Sequence, residues 1–417
     1  VYPLMSAHGG MIFAASPSTA LQVVTWIGAI TAVFAALIAI AQDDIKRILA
    51  YSTISQLGYM MIGLGVGGVA VGMFHLITHA FFKSLLFLGA GSVIHGCHEE
   101  QDIRRMGGLH KFMPITFATY AVGMLALCGF PLFFSGFWSK DAILHAASVW
   151  SISRVPFYLG AFGALLTAFY MTRQVYYVFF GKSRLGEDNA PSDDEDAEHH
   201  SHGSAALPHE SPSVMTVPLV LLAAFAVLLG LIGTPAWPWF NSFLMGRSAN
   251  LHMGGFLEGG ILTVMLSSSL IVFAGLGLGW WFYGRKPITS AEAPDAFQQF
   301  QPQLFHLLKR KFYIDEFYEA TFIRWNSWLS RASAWFDRWV WNGVVQVIAH
   351  LVLGFSWLAR SSDAHLVNAG FDEGCRSVTL GGRLLARIQN GRTQSYLRLL
   401  GIAFAVLVIF LIWGGMR

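Results

Sequence analysis

Segments of about 20 mainly apolar residues recur along this chain, and that is the length an α-helix needs to cross the hydrocarbon layer of a membrane. Only 12% of the 417 residues are charged, against roughly 25% in ordinary soluble domains. We mark eight apolar segments, at 21–41, 48–68, 71–95, 114–134 running on towards 150, 156–180, 217–234, 260–283 and 399–413. The sequence therefore predicts an all-α fold, a polytopic transmembrane helix bundle.

Composition also excludes several classes of function. The formal net charge is only +3, so nothing favours a nucleic-acid partner. Cys97, Cys128 and Cys375 stand far apart and form no CxxC pair, which excludes iron–sulfur ligation and a disulfide framework in this chain. We expect no metal or cofactor site here. The sequence begins at Val1 inside an apolar stretch, and we interpret it as lacking the N-terminal part of a longer chain.

The basic residues of the connectors predict the orientation, because Lys and Arg accumulate on the cytoplasmic side. One set of alternate connectors has only Arg154 and Arg247. The other set, which we assign to the cytoplasm, has Lys46, Arg47, Arg104, Arg105, Lys111, Lys182, Arg184, Arg285 and Lys286. We predict a multi-pass protein of the bacterial inner membrane.

Five segments follow from this division of the chain. They are a translocating core (1–183), an acidic, histidine-containing loop (184–213), two further transmembrane helices (214–284), a lateral amphipathic region (285–395) and a C-terminal transmembrane anchor (396–417). The loop is acidic and rich in proline, so we expect it to be solvated, on the cytoplasmic side. Its histidines, His199, His200, His202 and His209, are a compositional feature without a predicted metal function.

The lateral region alternates aromatic and basic residues at helical spacing. Arg324, Arg331 and Arg338 recur every seven positions, with tryptophans on neighbouring faces. No window from 318 to about 360 looks apolar enough to cross the membrane, so we predict a helix that lies in the interface on the cytoplasmic side. The alternative is a pair of ordinary surface helices, broken at Asn342-Gly343 or at Gly354.

Three ionisable side chains fall inside the apolar segment 71–95. His75, His79 and Lys83 are spaced i, i+4, i+8 and therefore share one stripe of a helix. A charged group at the bilayer centre costs at least about 2.5–3.5 kcal/mol, so such groups are usually functional. The pattern predicts a proton relay. The alternative is that the two histidines only hydrogen-bond Thr78 or a neighbouring helix.

A second ionisable site follows a predicted helix break. Gly129, Pro131 and Gly136 interrupt an apolar segment, and Lys140 and Asp141 come directly after it. Discontinuous membrane helices expose polar backbone at mid-depth, where ions and water bind. The alternative is that a surface helix starts here with Ser139 as its N-cap. We expect Arg173, near the end of its segment, to extend towards the interface.

The stretches DIKRILAYSTISQLGY (44–59) and FHLITHAFFK (74–83) closely resemble the antiporter-like proton-pumping subunits of respiratory complex I, NADH:quinone oxidoreductase. GFWSKD (136–141) resembles the lysine segment of their later broken helix. KFYIDEFY (311–318) and the region 318–413 resemble the lateral helix and terminal membrane helix that distinguish the distal member of this group. The resemblance covers essentially the whole chain, whereas the family is longer at its N-terminus.

This resemblance implies a role for each matching residue. Lys83 is then the central relay lysine, His75 and His79 connect the relay, Lys140 is the terminal lysine, and Asp141 is its acidic neighbour. NAD, FMN, iron–sulfur clusters and quinone are expected on other subunits, with quinone reduction coupled to this relay. The partners implied are neighbouring antiporter-like membrane subunits along the lateral helix, lipid, protons and water.

Two other functions stay open at this point. One is an Mrp-type monovalent cation/proton antiporter subunit, which the membrane core fits almost equally well. The other is a structural clamp, in which the lateral helix holds neighbouring subunits while the lysines stay inert. The region after residue 285 favours the complex I subunit over a self-contained exchanger, which has no obvious need for it.

Overall fold

A computed structural model describes residues 18–185, 207–249, 251, 254–255, 260–389 and 391–414. It confirms the all-α prediction, because the described ranges contain helices and isolated bridges but no β-strand. The chain forms two compact units, Val1–Glu316 and Phe317–Arg417. Most of the predicted acidic loop, including His199, His200 and His202, lies outside the described residues.

Eleven helices, numbered here in chain order, build the described part of the first unit. Short 3₁₀ turns and a π-helical turn at Trp280–Gly284 accompany them. Their bounds are α1 Thr19–Ile40, α2 Ile45–Gly65, α3 Val69–Gly96, α4 Pro114–Cys128, α5 Ser135–Ser148, α6 Val155–Phe179, α7 Ser213–Leu228, α8 Trp239–Leu244, α9 Ile261–Gly279, α10 Ala296–Phe300 and α11 Pro302–Lys309.

Seven helices of the described chain are long and apolar enough to cross a membrane. Five belong to the first unit and contain α1, α3, α6, α7 and α9. The predicted segments 48–68 and 114–134 also form helices, α2 and α4, but α2 is not among the seven and α4 is shorter. The predicted polytopic bundle is therefore confirmed, although α2 is less apolar than expected and α4 is shorter.

Capping residues explain where several helices begin. The Asp44 carboxylate accepts hydrogen bonds from the backbone N–H groups of Lys46 and Arg47, at 2.8 and 3.0 Å, and starts α2. Proline occupies the first turn of both α4 and α6, where its missing N–H group costs nothing. The Asp44 side chain thus fixes the carboxyl end of the turn 41–44 between α1 and α2.

The predicted break in the later helix is confirmed. Helix α4 ends at Cys128, and Gly129 adopts a left-handed conformation with φ of 77°. Leu132 is also left-handed, with φ of 72°, and the Trp138 indole N–H donates to its carbonyl at 3.1 Å. This bond holds a conformation that a residue with a Cβ rarely adopts. Helix α5 then starts at Ser135 and carries Lys140 in its second turn.

The described residues of the second unit are almost all helical. Helical backbone continues through Asn342-Gly343 and Gly354 to Ile388, with π-helical turns at Asp337–Trp341 and Asp363–Asn368, and a second helix covers Thr393–Gly414. The alternative of two broken surface helices is therefore wrong. The long helix Lys311–Ile388 has 78 residues, and one window in it reaches a mean hydropathy of 1.5. Our expectation that no such window occurs there was also wrong, because the residues after Trp341 are mostly aliphatic.

Glycines allow α1 and α2 to cross closely. A Cβ atom placed on Gly58 would lie 2.6 Å from the backbone nitrogen of Ala32 and 2.7 Å from the carbonyl oxygen of Gly28. Real Cβ atoms do not approach backbone this closely. The position of α2 relative to α1 therefore depends on Gly58 having no side chain.

We expect Gly58→Ala to lower the thermal stability of the detergent-solubilised protein, with an overpacking cost of about 1–3 kcal/mol. Gly91→Ala is the matched control, since a Cβ atom there meets nothing within 4 Å. It should be neutral or slightly stabilising, because alanine is the better helix former. Equal melting temperatures for the two variants would contradict the close crossing.

Candidate functional site

Helix α3 carries the predicted stripe of ionisable residues into the centre of the first unit. His75, His79 and Lys83 are all buried, and Lys83 exposes only 5% of its surface. The ring centroids of the two histidines are 6.0 Å apart. The His79 Nε2 atom is buried and has no hydrogen-bond partner among the described protein atoms. The spacing read from the sequence therefore corresponds to a contiguous buried row.

A serine of α2 receives the Lys83 ammonium group. Lys83 Nζ donates to Ser52 Oγ, and Ser52 in turn donates to the Leu49 carbonyl at 2.9 Å. The ammonium group also lies 5.7 Å from the centre of the Phe87 ring. Sequence reasoning did not single out Ser52, although it lies in the motif that carries the family resemblance. A buried ammonium with a single neutral oxygen partner is costly to keep charged.

The His75 ring contacts side chains of both neighbouring helices. Its Nδ1 atom lies 2.8 Å from Ser139 Oγ of α5, and its Nε2 atom lies 3.2 Å from Gln56 Oε1 of α2. Thr78 donates to the same Ser139 oxygen at 2.9 Å. The alternative that the histidines bond a neighbouring helix thus describes His75 correctly. The structure adds that one of the two helices contacted, α5, is the helix that carries Lys140.

The break between α4 and α5 provides an acceptor for Lys140. Pro131 has no N–H group, so the Leu127 carbonyl lacks its helical i+4 donor. Lys140 Nζ donates to this carbonyl at 2.8 Å and lies 5.2 Å from the centre of the Tyr59 ring. Lys140 is 3% exposed, and the cap of α5 is Phe134. The alternative of a surface helix with Ser139 as N-cap is therefore wrong.

Asp141 points away from the other site residues. Its carboxylate accepts a hydrogen bond of 2.6 Å from Ser268 of α9. It also lines a cavity of about 230 Å³ together with His145 and the aromatic side chains of Phe74 and Phe240. The structure therefore brings Lys83, His75, His79 and Lys140 together, while the Asp141 carboxylate is bonded to α9.

Arg173 of α6 is fully buried rather than extended towards the interface, which corrects the expectation from its position in the sequence. Its guanidinium donates to Asp295 at 2.8 Å, to Asp43 at 2.8 Å and to the Gln42 carbonyl at 2.6 Å. Two carboxylates compensate the charge of one buried guanidinium, so this group does not need hydration by solvent.

Asp295 and Asp43 extend this ion cluster to other parts of the unit. Asp295 also accepts from Tyr177, Tyr283 and the backbone N–H of Phe297. Asp43 also accepts from Lys309 at 2.9 Å. The cluster thereby joins the α1–α2 turn, α6 and the segment before the long helix. Sequence reasoning missed it, since Arg173 is separated from each of the two carboxylates by more than 100 residues.

Burial alone would raise the pKa of Asp295, but the charge of Arg173 and the hydrogen bonds from Arg173, Tyr283 and Tyr177 lower it below its usual value. A carboxyl group with a lowered folded-state pKa contributes stability that is present above its unfolded pKa of about 3.9. That contribution is lost as the pH falls through the folded-state value.

The arrangement suits proton movement better than bond chemistry. Amines, imidazoles and hydroxyl groups follow one another inside the bundle, and each of them can hold or pass a proton. Within the part of the chain that the structure describes, no group of three or more His, Cys, Asp or Glu side chains is placed to hold a metal ion.

Comparison with known proteins identifies the family. Residues 2–167 match the family model described as NADH:quinone oxidoreductase/Mrp antiporter, transmembrane. NAD(P)H-quinone oxidoreductase chain 5 of Picosynechococcus sp. is 38% identical over 94% of this chain and 56% of its own length. NADH-quinone oxidoreductase subunit L of Neisseria meningitidis serogroup A is 41% identical over 74% of this chain and 47% of its own length.

This chain belongs, over residues 2–167, to the NADH:quinone oxidoreductase/Mrp antiporter transmembrane family. It spans about half the length of the curated relatives that it matches. Among solved structures, a chain of the Mrp complex from Dietzia sp. DQ12-45-1b is 22% identical, with a TM-score of 0.43, over 62% of this chain and 50% of that chain.

We expect Arg173→Met to destabilise the protein by about 3–5 kcal/mol, because it leaves Asp295 buried without its cation. The exposed pair Arg376–Glu373 offers a control, and Arg376→Met should change stability by about 1 kcal/mol or less. Thermal unfolding in detergent measures both. Once the guanidinium is removed, burial raises the pKa of the Asp295 carboxyl group, so this group takes up a proton as the pH falls and the Arg173→Met deficit should shrink towards pH 4. A deficit that is small at neutral pH would contradict the buried cluster.

Proposed function

We propose that this chain is a proton-translocating membrane subunit of an NADH:quinone oxidoreductase, complex I. The observation that supports this most directly is the burial of Lys83, His75, His79 and Lys140 in the first unit, with the two histidine rings adjacent and His75 contacting Ser139, the residue before Lys140. Two buried lysines on different helices, with imidazole and hydroxyl groups near them, supply the carriers of a route along which a proton can move through bridging water.

The lysines act as the charge-holding stations of the proposed route. Both ammonium groups lie in an apolar interior, where their mutual repulsion is much stronger than in water. Protonation of one lysine therefore favours release of the proton from the other. A change of charge elsewhere in the membrane domain would drive this exchange, and His75 and His79 would carry protons between the two stations.

Redox chemistry belongs to other subunits in this proposal. The chain contributes to an enzyme of the EC 7.1.1 class, while NAD, FMN, iron–sulfur clusters and quinone bind elsewhere and quinone reduction supplies the energy. Its partners are the neighbouring antiporter-like membrane subunits, contacted by the long helix Lys311–Ile388. The host membrane is the bacterial inner membrane, with the acidic loop and the long helix on the cytoplasmic side, as the distribution of basic connectors supports.

An Mrp-type monovalent cation/proton antiporter subunit is the second candidate. The matching family model covers both kinds of protein, and the same lysines would then exchange protons against a cation. The second unit favours the complex I subunit, because the relatives that extend over 94% and 74% of this chain have names of quinone oxidoreductase subunits. Co-purification of NADH dehydrogenase activity with the chain would separate the two candidates.

We expect Lys83→Met and Lys140→Met to lower the number of protons pumped per NADH oxidised in reconstituted vesicles. Methionine keeps much of each side chain's volume but cannot carry a proton. The measurement is the ratio of the proton flux to the rate of NADH oxidation in the full complex.

Lys111→Met is the matched control, because Lys111 is exposed in the connector before α4. It should pump as the wild type does. Unchanged pumping in both Lys83→Met and Lys140→Met, with the complex intact, would refute the relay.

A further inference from the structure

His75 lies between α2 and α5, the helices that carry Ser52 and Lys140. Its Nε2 atom faces Gln56 of α2, one helical turn after Ser52, the partner of Lys83. Its Nδ1 atom faces Ser139, which directly precedes Lys140. The two nitrogens of one imidazole ring therefore face two different helices.

The hydrogen bonds around this ring follow one order of donors and acceptors, from Thr78 through Ser139 and His75 to Gln56. An amide oxygen only accepts, so the contact with Gln56 Oε1 requires the proton on His75 Nε2. In the neutral ring Nδ1 then accepts from the Ser139 hydroxyl, which itself accepts from Thr78 at 2.9 Å. In this arrangement the ring can take up a further proton only at Nδ1, on the Lys140 side.

The reverse order of donors and acceptors, reached when the Gln56 amide turns over, costs little. Gln56 Nε2 is buried and has no hydrogen-bond partner among the described atoms, so turning the amide over breaks no bond there. The amide then donates to His75 Nε2, and Nδ1 carries the proton and donates to Ser139. Ser139 has an alternative acceptor in the Gly136 carbonyl at 3.5 Å, and Thr78 has one in the His75 carbonyl at 3.1 Å.

We propose that Gln56 is a positioning residue that switches His75 between these two arrangements. With the Gln56 oxygen towards the ring, His75 accepts a proton only at Nδ1, on the Lys140 side. The N–H bond forms there as the Ser139 hydroxyl loses that proton. With its amino group towards the ring, Gln56 occupies Nε2 and Nδ1 already carries the proton, so His75 takes up no proton from Ser139. Gln56 itself carries no proton. The switch rests on the proposed proton-translocating function and adds to it a control of proton uptake at His75.

The first test measures the tautomer of His75 directly. Infrared difference spectra of the full complex containing ¹⁵N-histidine, minus those of the His75→Asn variant, isolate this ring. We expect both neutral tautomers in the wild type, in a ratio that changes when NADH and quinone are added. A single tautomer that does not change under turnover would overturn the switch.

The second test uses Gln56→Met, which keeps the length of the side chain and removes both hydrogen-bonding groups. Its expected effect is a loss of the turnover-dependent change in tautomer ratio and a lower ratio of protons pumped to NADH oxidised. Gln174→Met is the matched control, since Gln174 is equally buried, with one amide atom bonded to the Ile45 carbonyl and the other without a partner. It should leave both measurements unchanged.

The outcomes separate this inference from the function on which it rests. If Lys83→Met and Lys140→Met abolish pumping while Gln56→Met behaves as the wild type, the relay stands and the switch is wrong. If the lysine variants pump normally, the proposed function itself fails. A fall in both measurements with Gln174→Met as well would assign the effect to packing and would also overturn the switch.

Discussion

The cost of keeping ammonium groups inside an apolar helix bundle governs the structure around the candidate site. Lys83 and Lys140 are almost fully buried, and each donates to one oxygen atom of a neighbouring element. Such groups cost several kcal/mol unless they are compensated or deprotonated. The helix break contributes to this compensation, because Pro131 leaves the Leu127 carbonyl free to accept from Lys140. The break and the lysine are thus parts of one arrangement.

Much of the fold could be predicted because it depends on local sequence. The apolar segments gave the helices, and the i, i+4, i+8 spacing gave the buried stripe of His75, His79 and Lys83. Gly129 and Pro131 gave the position of the break, since their conformational limits are intrinsic to these residues. The long helix was predicted from its periodic basic and aromatic residues, although its apolar middle was underestimated.

The partners of these residues could not be predicted, because they come from distant parts of the chain. Ser139 meets His75 across 64 residues, and Arg173 meets Asp295 across 122 residues. A single sequence carries no signal for such pairs. For Arg173, position near the end of an apolar segment suggested a solvated side chain. Only the structure shows that two carboxylates contact it. Asp141 likewise follows Lys140 in sequence but projects from another face of α5, towards α9.

The central claim is that the two lysines and the histidines between them form a hydrated route. Several buried polar atoms in this region, including Gln56 Nε2 and His79 Nε2, have no partner in the described protein, and water is the group that ordinarily satisfies such atoms. The most direct measurement is a high-resolution electron cryo-microscopy map of the complex in lipid nanodiscs. The account predicts ordered water density that connects Lys83, His79, His75 and Lys140. Dry, close-packed side chains between the two lysines would contradict it.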